Sequence, residues 1–85
     1  MIPVMTWKIR WDRAALYGFY RLSMSAAERL DRSLLRFAAT NRGPVERVSP
    51  YDPRRLVLVV SGAGAYLFAD PASGVLVVTR VFRRG

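Results

Sequence analysis

Guanidinium groups dominate the chemistry that this sequence can offer. Thirteen arginines and one lysine stand against six carboxylates, for a formal charge of +8. Arg54-Arg55 opens the apolar run Leu56–Val60, and Arg83-Arg84 closes the run Val75–Phe82. A small sheet built from those runs would carry cations at its strand ends, an arrangement suited to holding phosphates. Glu46, Arg47 and Tyr51 lie just upstream, between Gly43 and Pro53, in a stretch with three prolines and no periodicity. That stretch reads as a loop that delivers them, with Arg54 and Arg55, to the foot of the next strand.

The missing residue types narrow the chemistry further. With no histidine and no cysteine, the commonest general base, the commonest metal ligand and every thiolate or disulfide are excluded. No metal or other cofactor is expected. An excess of eight positive charges points instead to nucleic acid or an acidic protein as partner.

Apolar residues make up 52% of the chain and ten residues are aromatic, which separates it from disordered basic tails. Eighty-five residues suffice for one domain, 1–85, whose strands must share a single core. Runs such as Leu56–Val60 fall far short of the ~20 residues a membrane helix needs. Met1–Thr6 lacks the basic start and apolar stretch of a signal peptide. The expectation is a cytoplasmic protein with no membrane partner.

The elements that must position these side chains follow from periodicity. Met5, Trp7, Ile9 and Trp11 alternate with Val4, Thr6, Lys8 and Arg10, which predicts a strand over Val4–Trp11 with one buried face. Asp12 can cap a helix over Arg13–Leu22, with Leu16, Phe19 and Tyr20 inward and Gly18 a weak point. Ser25-Ala-Ala-Glu28 has capping-box spacing. Ala27, Leu30, Leu34, Phe37 and Ala38 then form the apolar stripe of a second helix, which stops at Asn41-Arg42-Gly43-Pro44. Its opposite face carries Arg29, Arg32 and Arg36, with Glu28 and Asp31 at ion-pair spacing. That row is either a solvated face or a contact strip for an acidic partner.

Leu56–Val60 is apolar on both faces, as a central strand is. Ser61-Gly62-Ala63-Gly64 turns it into Ala65–Ala69, and Asp70-Pro71-Ala72-Ser73-Gly74 leads to Val75–Phe82. Strict alternation in that last strand puts Leu76, Val78, Arg80 and Phe82 on one face. Arg80 is costly there unless it meets an edge, a carboxylate, a phosphate or solvent. Tyr51 and Tyr66 read either as core aromatics or as platforms for a base. The order β-α-α-β-β-β predicts an α+β fold: a helical hairpin packed on a small, mainly antiparallel, curved sheet.

Trp7-Lys-Ile-Arg-Trp, the two helices, the Arg-Arg entry to a Val/Leu strand, Tyr66–Asp70, the glycine turn and Val-Leu-Val-Val-Thr-Arg-Val-Phe-Arg-Arg at the end together resemble the RelE/ParE superfamily. The resemblance runs from about Val4 to Arg84 and rests on a diffuse pattern. These are toxins of type II toxin–antitoxin modules. It implies a toxin that inhibits translation as a metal-independent endoribonuclease, cutting mRNA in the ribosomal A site. RNA binding and catalysis in such members use basic and polar side chains on the sheet, which orient the ribose 2′-hydroxyl, stabilise the phosphorane and protonate the leaving oxygen. Fixed guanidiniums help where charge builds on phosphate.

By that resemblance Arg55, Arg83 and Arg84 occupy basic catalytic positions, and Glu46 lies where some members carry a glutamate thought to act as base. Arg47, Arg54, Arg80, Tyr51 and Tyr66 would hold RNA. A small acidic cognate antitoxin, the ribosome and mRNA are the implied partners. The sequence also departs from the ribonuclease pattern. Those members usually extend beyond the last strand with a further arginine and a tyrosine or histidine, and many carry an arginine where this sequence has Ala65-Tyr66-Leu67-Phe68. Arginine cannot replace the proton shuttle. The alternatives are a non-catalytic ParE-like toxin that poisons DNA gyrase by protein contacts, and a basic nucleic-acid-binding protein without toxin activity.

Overall fold

The computed structural model describes residues 6–85. Chain order is β1 (Lys8–Trp11), α1 (Arg13–Tyr20), α2 (Met24–Thr40), β2 (Val45–Ser49), β3 (Asp52–Val60), β4 (Ala63–Asp70) and β5 (Val75–Arg83). The strands form one sheet in the order β1-β5-β4-β3-β2. β1 runs parallel to β5, and every other pair is antiparallel. Both helices lie on one side, so the architecture is the α+β helical hairpin on a mainly antiparallel sheet that the periodicities imply. No helix among the described residues is long and apolar enough to cross a membrane.

A single buried cluster joins the helices to that side of the sheet. Leu30, Leu34, Phe37 and Ala38 of α2 and Ala15 of α1 pack on Leu58, Ala63, Ala65, Leu67, Ala69, Leu76, Val78 and Val81. Trp7, Ile9, Trp11, Phe19 and Leu22 close its margins. The four β4 residues facing the helices are mostly alanine, which leaves room for close helix–sheet contact. At Gly18 the approach is closest: a Cβ there would overlap the Val81 carbonyl oxygen. The glycine that looks weak by helix propensity is what lets α1 lie against β5.

Several local expectations shift. The strand expected over Val4–Trp11 is described only as Lys8–Trp11, and Val4 and Met5 lie outside the described residues. Asp12 occupies the N-cap of α1 without a side-chain capping bond. Tyr20, expected inward, is 75% exposed, because Ala15 holds the buried position of this short helix. α2 starts two residues early: Ser23 is its cap, accepting from the Ala26 N–H at 3.2 Å, so Ser25 is inside the helix and Ala26, not Ala27, heads the buried stripe. The helix ends as expected, with Asn41 in the left-handed region at φ 59°. Arg29 donates to the Ser61 carbonyl oxygen at 3.0 Å. Among the described residues both ion pairs within 4 Å use Asp52, and Arg32 and Arg36 of the α2 charge row are exposed.

The largest correction is β2, which forms where a loop was expected over Gly43–Pro53. Pro44 and Pro50 flank it, and as an edge strand it needs hydrogen-bond partners on one side only, so prolines at its margins cost little. The turn between β3 and β4 is also tighter, Ser61-Gly62 alone, with Ala63 and Gly64 already in β4.

Candidate phosphate-binding face

The helices cover one face of the sheet, and the other is open. Cα registers place residues on it in cross-strand rows. Glu46 of β2 pairs with Val57 of β3, Val57 with Tyr66 of β4, and Tyr66 with Arg80 of β5. The neighbouring row runs Arg55, Phe68, Val77, Arg10 across β3, β4, β5 and β1. Strands stand about 4.8 Å apart and same-face rows about 7 Å apart. Each row therefore runs about 14 Å across the open face. Val77, on this open side between Phe68 and Arg10 in its row, is still buried.

Arg80 reaches the open face through a β-bulge. Leu67 pairs with Val78 but Tyr66 pairs with Arg80, so Thr79 is an extra residue in β5. Its hydroxyl donates to the Tyr66 carbonyl oxygen at 3.1 Å. The added residue inverts the alternation that strict period two imposes. Val81, not Arg80, then enters the helix-side core, and Phe82 moves to the open side. Phe82 lies directly over Gly64, where any Cβ would overlap its ring, and meets Tyr66 at a centroid separation of 5.3 Å. The steric and solvation cost of an arginine in the core is thereby avoided.

A groove of about 580 Å3 opens on this face, lined by Val48, Arg55, Leu56, Tyr66, Leu67, Phe68, Thr79 and Arg80. Its cations are held from one end. Asp52 Oδ1 accepts from the Arg54 backbone N–H at 3.0 Å and from Arg54 Nε at 3.4 Å, and Oδ2 pairs with Arg55 Nε at 3.4 Å. The Arg54 backbone N–H above all holds the Asp52 carboxyl below the usual carboxylate range; desolvation opposes it, and the Arg54 and Arg55 guanidiniums add to the lowering. Arg54 lies over the Phe68 ring, 5.5 Å from its centroid. Asp70, further along β4, is committed to its turn: the Ser73 hydroxyl donates to it at 2.8 Å and the Ala72 N–H at 3.1 Å.

The residues singled out in the sequence thus fall into four places. Arg55, Arg80 and Tyr66 line the groove, with Arg54 at its margin. Glu46, in a strand and not in a loop, lines an adjoining depression of about 530 Å3 with Val57, Val59 and Arg84. Arg84 donates to the Val60 carbonyl oxygen at 3.5 Å. Arg47 and Arg83 pair with Leu56 and Ala63, so they point to the helix-bearing side. Tyr51 stands in the β2–β3 turn, 93% exposed. The cations therefore do not form one rim. Lys8 and Arg10 also belong to the open face, opposite Val75 and Val77, by the alternation that buries Ile9 and Trp11. Phe68 and Phe82 depend on strand pairing and the bulge, and no local pattern announces them.

A chain in the crystal structure of the toxin–antitoxin complex RelBE2 from Mycobacterium tuberculosis is similar to this one. The TM-score is 0.66 over 93% of this chain and 99% of that chain, at 14% sequence identity. No protein-family model matches the sequence, and no curated protein does. The likeness is one of fold: the two helices and five-stranded mixed sheet described here are RelE-like.

Proposed function

We propose that this chain is the toxin of a type II toxin–antitoxin module and inhibits translation by cutting ribosome-bound mRNA without a metal. The observation that carries the reading is the single row Glu46–Val57–Tyr66–Arg80 beside Arg55 on an uncovered sheet face. It combines guanidiniums for the phosphate and a phenol in one groove with a carboxylate in the adjoining depression for proton movement. The RelE-like fold supports it, because the similar chain comes from a toxin–antitoxin complex.

In this reading Arg55 and Arg80 grip the scissile phosphate from two sides and stabilise the extra charge of the phosphorane. The ribose 2′-oxygen attacks the adjacent phosphorus, its proton passes to Glu46, and the bond to the 5′-oxygen breaks. Tyr66 supplies the proton that the departing 5′-oxygen takes up. Proton transfer falls to these two because a guanidinium does not release its proton in proteins. The +8 charge fits an acidic antitoxin that folds on the toxin and neutralises it.

Expression in cells without a partner, with mapping of message ends, tests the reading. The expected result is growth arrest with mRNA cut at ribosome-occupied codons, lost in Arg55→Ala and Arg80→Ala. Arrest with intact mRNA and DNA-damage signalling would assign the fold to gyrase inhibition, and unhindered growth would leave a basic binding protein.

A further inference from the structure

β1 covers only half of β5. It pairs with Val75–Val78, so the later part of β5 faces α1 across the gap that Gly18 narrows. At that margin a second depression, about 520 Å3, is lined by Gly18, Arg21, Arg80, Val81, Phe82 and Arg83. Three of its six lining residues are arginines and none is acidic. Among the described residues the ion pairs within 4 Å both belong to Asp52, so no carboxylate pairs with these three. Like charges gathered in this way repel unless an anion joins them.

Arg80 lines both this depression and the open-face groove. The two are consecutive along β5, with Arg83 about 10 Å beyond Arg80 at strand rise. We propose that Arg21 and Arg83 form a second phosphate subsite, over which the RNA strand held in the groove leaves the sheet across the unpaired edge of β5. This inference rests on the mRNA reading above and adds to it a path for the strand beyond the scissile bond. A phosphodiester backbone fits better than an acidic peptide because Arg80 lines both the groove and this depression, so a strand held on the open face can pass over the edge of β5 to Arg21 and to Arg83 on the helix-bearing side.

Fluorescence anisotropy with 2′-O-methyl RNA, which cannot be cleaved, tests the path by comparing a trimer with an octamer. Two added phosphate contacts steepen the octamer's salt dependence by about 1.4 in log K against log salt, so a fourfold rise in salt costs it about sevenfold more affinity than the trimer. The Arg21→Ala/Arg83→Ala variant should bring the octamer to the trimer's slope and leave the trimer unchanged. Arg21→Lys/Arg83→Lys should keep the steeper slope, and an unchanged melting profile shows that both variants fold. Equal octamer slopes in the wild type and the alanine variant would overturn the path. So would a loss confined to a glutamate-rich decapeptide, which would assign the depression to an acidic protein. If Arg55→Ala weakens neither RNA, the groove reading itself fails; if it weakens both while the rim variant weakens neither, only the path fails.

Discussion

Strand β4 carries two sheet faces in eight residues. Ala63, Ala65, Leu67 and Ala69 turn to the helices and are buried, while Gly64, Tyr66, Phe68 and Asp70 turn away. Small residues face the buried helix–sheet core, and large aromatic ones face no other layer of the chain. On the covered side the residues serve close approach. On the open side, aromatic rings are flanked by Arg55, Arg80 and Arg54, a surface that suits the anionic ligand of the proposed reading. The difference separates what folds the chain from what the proposed function would use.

The comparison breaks most visibly if a change on one face is felt on the other. Leu34→Ala, on the covered side, should cost about 2–5 kcal/mol, a large share of what a chain this size can hold, and urea unfolding reads it directly. Gly18→Ala should follow at about 1–3 kcal/mol, since α1 must retreat from Val81. Recovery of normal stability in that variant would mean that α1 does not need the close contact. On the open side, Arg55→Ala should leave stability within about 0.5 kcal/mol and lower mRNA cleavage by about a hundredfold or more, as measured by primer extension on translating ribosomes.

The smallest effect concerns Asp52. Its carboxyl titrates lower in the folded chain than in the unfolded one, so its contribution to stability is fully present above the unfolded value, about 3.8, and is lost as pH falls through the lower folded value. Asp52→Asn should therefore flatten the acid side of the melting-temperature profile and leave neutral pH almost untouched. An unchanged acid limb would show that Asp52 does not hold Arg54 and Arg55.

How far the sequence foretells these faces depends on the element. Helix α2 is legible because its stripe spans more than three turns, and its end is marked by Asn41 and Gly43. The cap slipped from Ser25 to Ser23 because two serines offer nearly the same spacing. β2 was hidden because three prolines in eleven residues signal a loop, and only a paired neighbour rescues a proline-flanked edge. The bulge at Thr79 has no glycine to mark it. Its one trace is Arg80 itself: an arginine in phase with Leu76 and Val78 contradicts burial unless the register breaks between them. Lys8 and Arg10 were legible, since the alternation that buries Ile9 and Trp11 sends them to the other side. The separation of Arg83 from Arg84 is plain alternation, obscured by reading the pair as one unit.

The most direct test weighs the two faces at equal charge. Ribosome binding and mRNA cleavage are measured for Arg55→Ala/Arg80→Ala and for Arg32→Ala/Arg36→Ala, each of which removes two exposed arginines. The open-face pair should abolish cleavage and weaken binding, while the helix pair stays close to wild type. Equal losses in both, or a loss in the helix pair alone, would contradict the assignment of function to the uncovered sheet.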